Sequence, residues 1–197
     1  MALLYNISLL KNNFQILINM QYNADINCIT VKGGVSMGES LRTNDSVMEA
    51  VSRYADMLVR VCFSYVKNIH DAEEIAQDTF VKLMDRQPTF ENEEHRKAWL
   101  LRVAINLSKN RLRSSWFVKT QPLEEYDVPF TPEENNVLSA VQQLPVKYRS
   151  VIHLFYIEGY SVLEIGQLLG RKASTVASQL HRARIILKSK LEEEFDV

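Results

Sequence analysis

The chain has 197 residues, a length that fits one large domain or two small ones. About 46% of its residues are hydrophobic and 24% are charged, while 6 glycines and 5 prolines are too few for a turn-rich all-β fold. Lysine and arginine (23) nearly balance aspartate and glutamate (24), and the formal net charge of −1 at first argues against a nucleic-acid binder.

Several classes of site are disfavoured by the sequence. Two cysteines and four scattered histidines predict neither a disulfide framework nor a metal site. No phosphate-binding glycine motif and no nucleophile motif is present, and no apolar run is long enough to span a bilayer. We therefore expect no enzyme, no cofactor and no small-molecule substrate.

Residues 1–36 differ from the rest of the chain in having few charges. The charged residues are Lys11, Asp25 and Lys32. The segment lacks a sustained helical or strand period, and it lacks the ordered regions of a signal peptide. It is either an extra N-terminal arm or a doubtful leader translated from upstream DNA, with Met37 as the natural start. Codons for residues 32–35 can contain a ribosome-binding sequence, so the gene sequence tests the second interpretation.

Helical periodicity begins near residue 44. Apolar residues recur at spacings of three and four from Val47 to Tyr65, and Asn44 or Asp45 is the expected N-cap. A second helix is predicted to begin at Asp71. A third is predicted over about 96–114, after a polar loop at 87–95.

Prolines mark the middle of the chain. Residues 115–132 contain Pro122, Pro129 and Pro132, which predicts a linker. Three further helices are predicted, which end before Pro145, at Gly159 and at Gly170. A long final helix is predicted after Gly170. The predicted fold class is all-α, with two small helical domains and no strands.

Charge is segregated along the chain. Residues 71–94 hold eight acids and two bases, and 96–123 hold seven bases and no acid. Residues 124–134 hold five acids and no base, and 165–191 hold six bases and no acid. The near-zero sum therefore hides two basic segments that could face phosphates, although a solvated face is the ordinary alternative for any single run.

Polar side chains of the 96–114 helix share one stripe. At about 100° per residue, they fall within about 100° of arc. They are Arg102, Asn106, Lys109, Asn110 and Arg113. Asparagine can read base edges, while lysine and arginine contact phosphates. Arg111 points away from the stripe, which predicts a structural role.

The end of the chain has the pattern of a helix-turn-helix. A short amphipathic helix is followed by a turn at Gly170 and by a longer helix with small polar residues in its first turns. In that motif the second helix enters the major groove. Any helical hairpin can mimic the pattern, but the basic face favours DNA binding.

Several motifs, in order, resemble the sigma-70 family of polymerase initiation factors. Residues 71–80, DAEEIAQDTF, resemble its polymerase-binding helix, and residues 99–106 resemble the helix that melts and reads the −10 promoter element. Leu144-Pro145, Tyr148-Arg149 and residues 164–178 resemble its −35-reading domain. The short linker is typical of the extracytoplasmic-function (ECF) type, and the resemblance covers about 44–192.

The resemblance implies a domain organisation and partners. It implies sigma region 2 at 40–114, an acidic linker at 115–132, and sigma region 4 at 133–193. The protein would bind core RNA polymerase and direct it to promoter DNA. It would be held inactive by an anti-sigma factor, in the cytoplasm or at the membrane. The alternative is a stand-alone helix-turn-helix regulator, and a non-DNA helical adaptor is a third class.

The resemblance also implies roles for single residues. The residues at polymerase-contacting positions are Glu74, Gln77 and Asp78. The residues on the −10 helix are Asn106, Lys109 and Asn110. These three belong to the polar stripe that also holds Arg102 and Arg113. Those on or near DNA-facing positions of the −35 domain are Arg171, Ser174, Thr175, Ser178, Gln179 and Arg182. Many relatives carry a basic residue at Ala177 and Gln179, so this chain should make weaker phosphate contact or prefer a different −35 sequence.

Two segments keep alternative interpretations. The 87–95 loop falls where the family captures a flipped base, and its aromatic Phe90 either contacts that base or packs under the loop. The acidic linker is a solvated tether or a strip that occupies a basic nucleic-acid channel. Rotation of the two domains about this linker is expected.

Overall fold

The computed structural model describes residues 37–114 and 139–195, with side chains from 45 to 114 and from 139 to 191. Every element in these ranges is helical, which confirms the all-α prediction. The helices are α1 Met37–Val66, α2 Ile69–Arg86, α3 Glu93–Arg113, α4 Val146–Ile152, a π-helical turn His153–Ile157, α5 Val162–Leu169 and α6 Ala173–Phe195. Residues 139–143 are also helical. The leader at 1–36 and the linker at 115–132 lie outside the described residues.

Helices α1, α2 and α3 form the first bundle. Their apolar faces meet in a core that contains Leu58, Phe80 and Leu101, all fully buried. Asparagine caps begin two of the helices: Asn68 Oδ1 accepts from the Asp71 N–H (2.9 Å), and Asn92 Oδ1 accepts from the His95 N–H (2.8 Å). These caps start α2 and α3 two or three residues before the predicted positions.

The predicted cap of α1 is wrong. The helix already includes Met37, so Asn44 and Asp45 lie inside it. Residues 39–44 contain no proline that would stop a helix. Glu39, Leu41 and Arg42 favour helix, so α1 extends past Asn44 toward the N-terminus.

Residues 139–195 form the second bundle, in which α4 and α5 pack on α6. Serine and glutamate close a capping box at α5: Ser161 Oγ accepts from the Glu164 N–H, and Glu164 Oε2 accepts from the Ser161 N–H at 2.8 Å. The helix ends at Gly170 in the left-handed region (φ 65°), as predicted. The preceding π-helical turn ends at Ile157 and has Glu158 as its C-cap, one residue before the predicted cap Gly159.

The two bundles share an interface. Helix α4 packs against α1, and α5 packs along α3. The buried residues of both bundles belong to one continuous apolar cluster. The surfaces predicted to bind nucleic acid therefore lie on two bundles that pack against each other.

Candidate functional site

The acidic residues of α2 lie on the surface of the first bundle. Glu74 and Asp78 are exposed and Gln77 is half-buried. Arg111 on α3 reaches this surface, where it pairs with Glu74 and lies 3.5 Å from Asp71. This pairing agrees with the structural role predicted for Arg111. It also means that Glu74 is already neutralised in part.

Asp78 is the more available carboxylate of this face. Partial burial raises its pKa, the neighbouring Glu74 raises it further, and Lys82 and Arg111 act in the opposite direction. A carboxylate with a raised pKa gains more from an approaching cation than a freely solvated one.

The polar stripe of α3 faces away from the core. Its exposed members are Arg102, Asn106, Asn110 and Arg113, and Lys109 is half-buried. The opposite side of the helix is fully buried through Leu100, Leu101, Ala104 and Ile105. Burial lowers the pKa of Lys109, and the nearby charges of Arg171 and Arg113 lower it further. Lys109 thus lies where the two basic segments meet.

The loop before α3 is folded against that helix. The Phe90 ring lies edge-on to His95 (5.7 Å between centroids) and to Trp99 (5.9 Å), and the Arg96 guanidinium lies 5.8 Å from it. Phe90 is half-buried against the core. Phe90 therefore packs against α3 and the core in this structure, and its contact with a flipped base stays a prediction.

Small polar residues line the outer side of α6. Ser174, Thr175 and Ser178 are exposed, and so is Arg182 farther along the helix. Val176, Leu180 and Ala183 anchor the inner side and are buried.

The turn before α6 also positions a polar side chain. The Arg171 Nη1 donates to Gln179 Oε1 at 2.9 Å, which holds this half-buried amide next to the turn. A surface of hydroxyls and amides with cations at both ends suits base edges flanked by phosphates.

Sequence reasoning missed a group of polar residues at the inter-bundle interface. Arg149 is only 3% exposed and His153 only 8%. Their partners are up to 85 positions away in the chain, and no local pattern signals such pairs.

Two further properties concern the described ranges alone. There, no His, Cys, Asp and Glu side chains are grouped so that they could hold a metal ion. Across the same ranges, no helix has both the length and the apolar character needed to cross a membrane.

Comparison with known proteins identifies both bundles. The family Sigma-70 region 2 matches residues 50–118, and the family Sigma-70, region 4 matches residues 134–187. The ECF RNA polymerase sigma factor SigW of Bacillus subtilis is 30% identical over 169 residues, covering 76% of this chain and 90% of SigW. SigE of Mycolicibacterium smegmatis is 34% identical, covering 73% of this chain and 60% of SigE.

Solved structures show the same fold. The sigma factor RpoE of Bartonella quintana, in complex with the anti-sigma factor NepR, aligns with a TM-score of 0.63 at 23% identity, covering 75% of this chain and 97% of RpoE. CnrH, in complex with the cytosolic domain of CnrY, aligns with a TM-score of 0.57 at 25% identity, covering 76% of this chain and 90% of CnrH.

Proposed function

The chain belongs to the ECF sigma factors of the sigma-70 family, which direct RNA polymerase to initiate transcription, and from this membership we propose which surfaces perform each step. The family is not catalytic, so each step is a binding event. The first bundle, with the boundaries 40–114, acts as region 2. The second, with the boundaries 133–193, acts as region 4, and residues 115–132 connect them.

Glu74, Gln77 and Asp78 bind core polymerase. Support comes from their shared helical surface, on which Glu74 and Asp78 are exposed and Gln77 is half-buried. Arg111 orients Glu74 from the side. The rigid packing of α2 on α1 presents this surface without a preceding folding step.

The α3 stripe binds the −10 element. Asn106 and Asn110 can donate to and accept from base edges, while Arg102, Lys109 and Arg113 contact phosphates. The observation that carries this proposal is that the stripe is exposed while the opposite side of α3 is fully buried.

The outer side of α6 binds the −35 element. Ser174, Thr175 and Ser178 present hydroxyl groups in its first turns, where a recognition helix enters the major groove. Arg171, Gln179 and Arg182 flank them. Many relatives carry a basic residue at the positions of Ala177 and Gln179. Because this chain has no cation at either position, α6 makes few phosphate contacts.

Run-off transcription with core polymerase and a candidate promoter tests these assignments. Asn106→Ala should lower initiation about 5- to 100-fold at promoters with the preferred −10 sequence, in line with the loss of one specific base contact. Arg182→Ala should weaken holoenzyme binding to the −35 duplex. Arg184→Ala is its matched control, because Arg182 hydrogen-bonds the Tyr148 side chain and Arg184 that of Tyr156 at 2.8 Å, so both variants lose the same kind of internal contact.

Polymerase binding is tested separately. Asp78→Arg should lower the affinity for core polymerase at least tenfold, measured by fluorescence anisotropy of the labelled protein, because it places like charges at a cationic contact. Asp45→Arg, the same charge change on exposed α1, should not. Equal affinities for both variants would contradict the assignment, and specific duplex binding without polymerase would favour a stand-alone regulator.

An anti-sigma factor is the remaining proposed partner. The structural relative RpoE is described in complex with the anti-sigma factor NepR. We place the protein in the cytoplasm, or at the membrane through that partner. Co-purification of the tagged protein from cytosolic and membrane fractions tests this location, and recovery of the protein outside both fractions would contradict it.

A further inference from the structure

A hydrogen bond between two side chains links the turn before α6 to that helix. Arg171 lies in the turn, just after Gly170, and its backbone N–H donates to Gly166 O at 2.8 Å. Its Nη1 donates to Gln179 Oε1 at 2.9 Å, eight residues farther along the chain. Both residues are half-buried and belong to the second bundle. Their contact therefore does not depend on how the two bundles pack against each other.

The chemistry of this contact fixes the orientation of the Gln179 amide. A guanidinium group carries N–H donors and no acceptor, so the amide atom that faces it must be the oxygen. The amide nitrogen, with its two N–H donors, is then directed away from the Arg171 guanidinium. A glutamine that can ordinarily present a donor and an acceptor side by side is left with its donors available.

Gln179 lies at the border of the proposed −35 surface. At about 100° per residue, it is about 40° around α6 from Thr175 and about 60° from Arg182, and both of these residues are exposed. The buried residues Val176 and Leu180 lie on its other side. A glutamine side chain is long enough to reach a base edge from this border, where the Ser174 and Ser178 side of the helix begins.

The pattern of donors and acceptors in the major groove gives this orientation a consequence. A free glutamine amide pairs bidentately with adenine, which presents the N6 donor beside the N7 acceptor. With Oε1 engaged, the Gln179 amide can make one of these two contacts. Guanine presents two acceptors, N7 and O6, and thymine presents O4, whereas cytosine presents the N4 donor. The oriented amide therefore matches guanine or thymine better than adenine or cytosine.

We propose that Gln179 is a specificity-determining residue of the −35 contact that selects guanine or thymine, and that Arg171 is the positioning residue that sets this choice by holding the amide oxygen. The proposal rests on the assignment of the outer side of α6 to the −35 element. Arg171 then acts through Gln179 rather than on a phosphate. At a position that is basic in many relatives, this chain keeps N–H donors without a charge, which changes the preferred −35 sequence.

Binding of the holoenzyme to promoter duplexes randomised over the −35 element tests the choice of base. Sequencing of the bound fraction gives the preference at each base pair for the wild type and for Gln179→Ala. At the pair where Gln179→Ala loses the preference, the wild type should favour guanine or thymine about fivefold. A wild-type preference for adenine or cytosine at that pair would overturn the proposal.

Two substitutions should change the preference in opposite ways. Gln179→Glu keeps an oxygen for Arg171 but presents acceptors alone, so the same base pair should change to cytosine or adenine, again about fivefold. Arg171→Ala releases the amide, so adenine should be accepted as well as guanine or thymine. Arg171→Lys still donates to the amide oxygen and should retain the wild-type preference.

Lys172→Ala is the matched control for Arg171→Ala, because Lys172 is the neighbouring cation of the same turn and is exposed. It should weaken binding to all sequences about equally and leave the preferences unchanged, as expected for a phosphate contact. The same uniform loss in Arg171→Ala would overturn the positioning role. A loss of stability also lowers every affinity together, so the ratio between bases separates positioning from folding.

This proposal and the −35 assignment can fail separately. A wild-type holoenzyme without any preference over the −35 element would overturn both. Preferences that are present in the wild type and all survive Gln179→Ala and Gln179→Glu would overturn the role of Gln179 alone, and would leave the hydroxyls of α6 and Arg182 as the residues that read the element.

Discussion

At the scale of single residues, one glycine sets the geometry of the turn before α6. A Cβ on Gly166 would lie 2.8 Å from the carbonyl oxygen of Arg171, and the Arg171 N–H donates to Gly166 O at 2.8 Å. Two backbone segments therefore approach more closely than any side chain permits. Glycine is required here for space, since its φ is not in the left-handed region.

Gly166→Ala should destabilise the second bundle by about 1–3 kcal/mol and weaken holoenzyme binding to the −35 duplex, because the turn must move. Gly159→Ala is a suitable comparison, because a Cβ atom at this position would have no neighbour within 4 Å. The substitution would only strain the backbone, which has a φ of 73° at this residue. It should cost about 1–2 kcal/mol and leave −35 binding unchanged. Thermal unfolding and a mobility shift with −35 DNA measure both effects, and equal losses of DNA affinity would contradict the steric argument.

At the scale of elements, the two-turn helix α5 carries a full capping box. It spans Val162–Leu169, and Ser161 and Glu164 satisfy each other's backbone N–H groups. A helix of two turns has few internal hydrogen bonds, so its termini contribute a large share of its stability.

Ser161→Ala should therefore lower the free energy of unfolding by about 1 kcal/mol. Ser161→Asp should recover most of it, because aspartate is an equally good cap and suits the positive end of the helix. Chemical denaturation of the full chain provides the measurement. Equal losses for both variants would show that the hydroxyl acts other than as a cap.

At the scale of the whole molecule, Glu158 links the packing of the bundles to pH. Burial alone would raise its pKa, but the nearby His153 ring and the hydrogen bond and charge of Arg60 outweigh burial and lower it from its ordinary 4.5. A carboxylate whose folded pKa lies below its unfolded pKa stabilises fully above the unfolded value. That stabilisation is lost as the pH falls through the folded pKa.

The free energy of unfolding should therefore fall below about pH 4.5, as Glu158 becomes protonated. Chemical denaturation of the full chain, repeated from pH 7 downward, measures it. Glu158→Gln carries no titrating carboxyl and should show a smaller acid-dependent loss of stability. An identical acid response in both proteins would assign the loss to other carboxylates.

The sequence alone determined the helical class, the two groups of helices and the alternation of acidic and basic segments. These follow from periodicity, capping residues and charge order, which act over a few neighbouring positions. The positions of Asn106 on α3 and of Ser174 on α6 also followed from helical spacing. The cap at Asn44 failed because nothing local forces a helix to begin there rather than upstream.

Only the tertiary structure decided which polar groups meet across the bundles. Arg149, Glu158 and Tyr160 have ordinary local surroundings, and their partners on α1 and α3 are distant in sequence. Packing brings such pairs together, and the low dielectric of the interface strengthens their attraction. Both effects change the free energy of a charge only after the chain has folded. Local patterns therefore define the elements and their surfaces, while burial determines which charges remain available to polymerase and DNA.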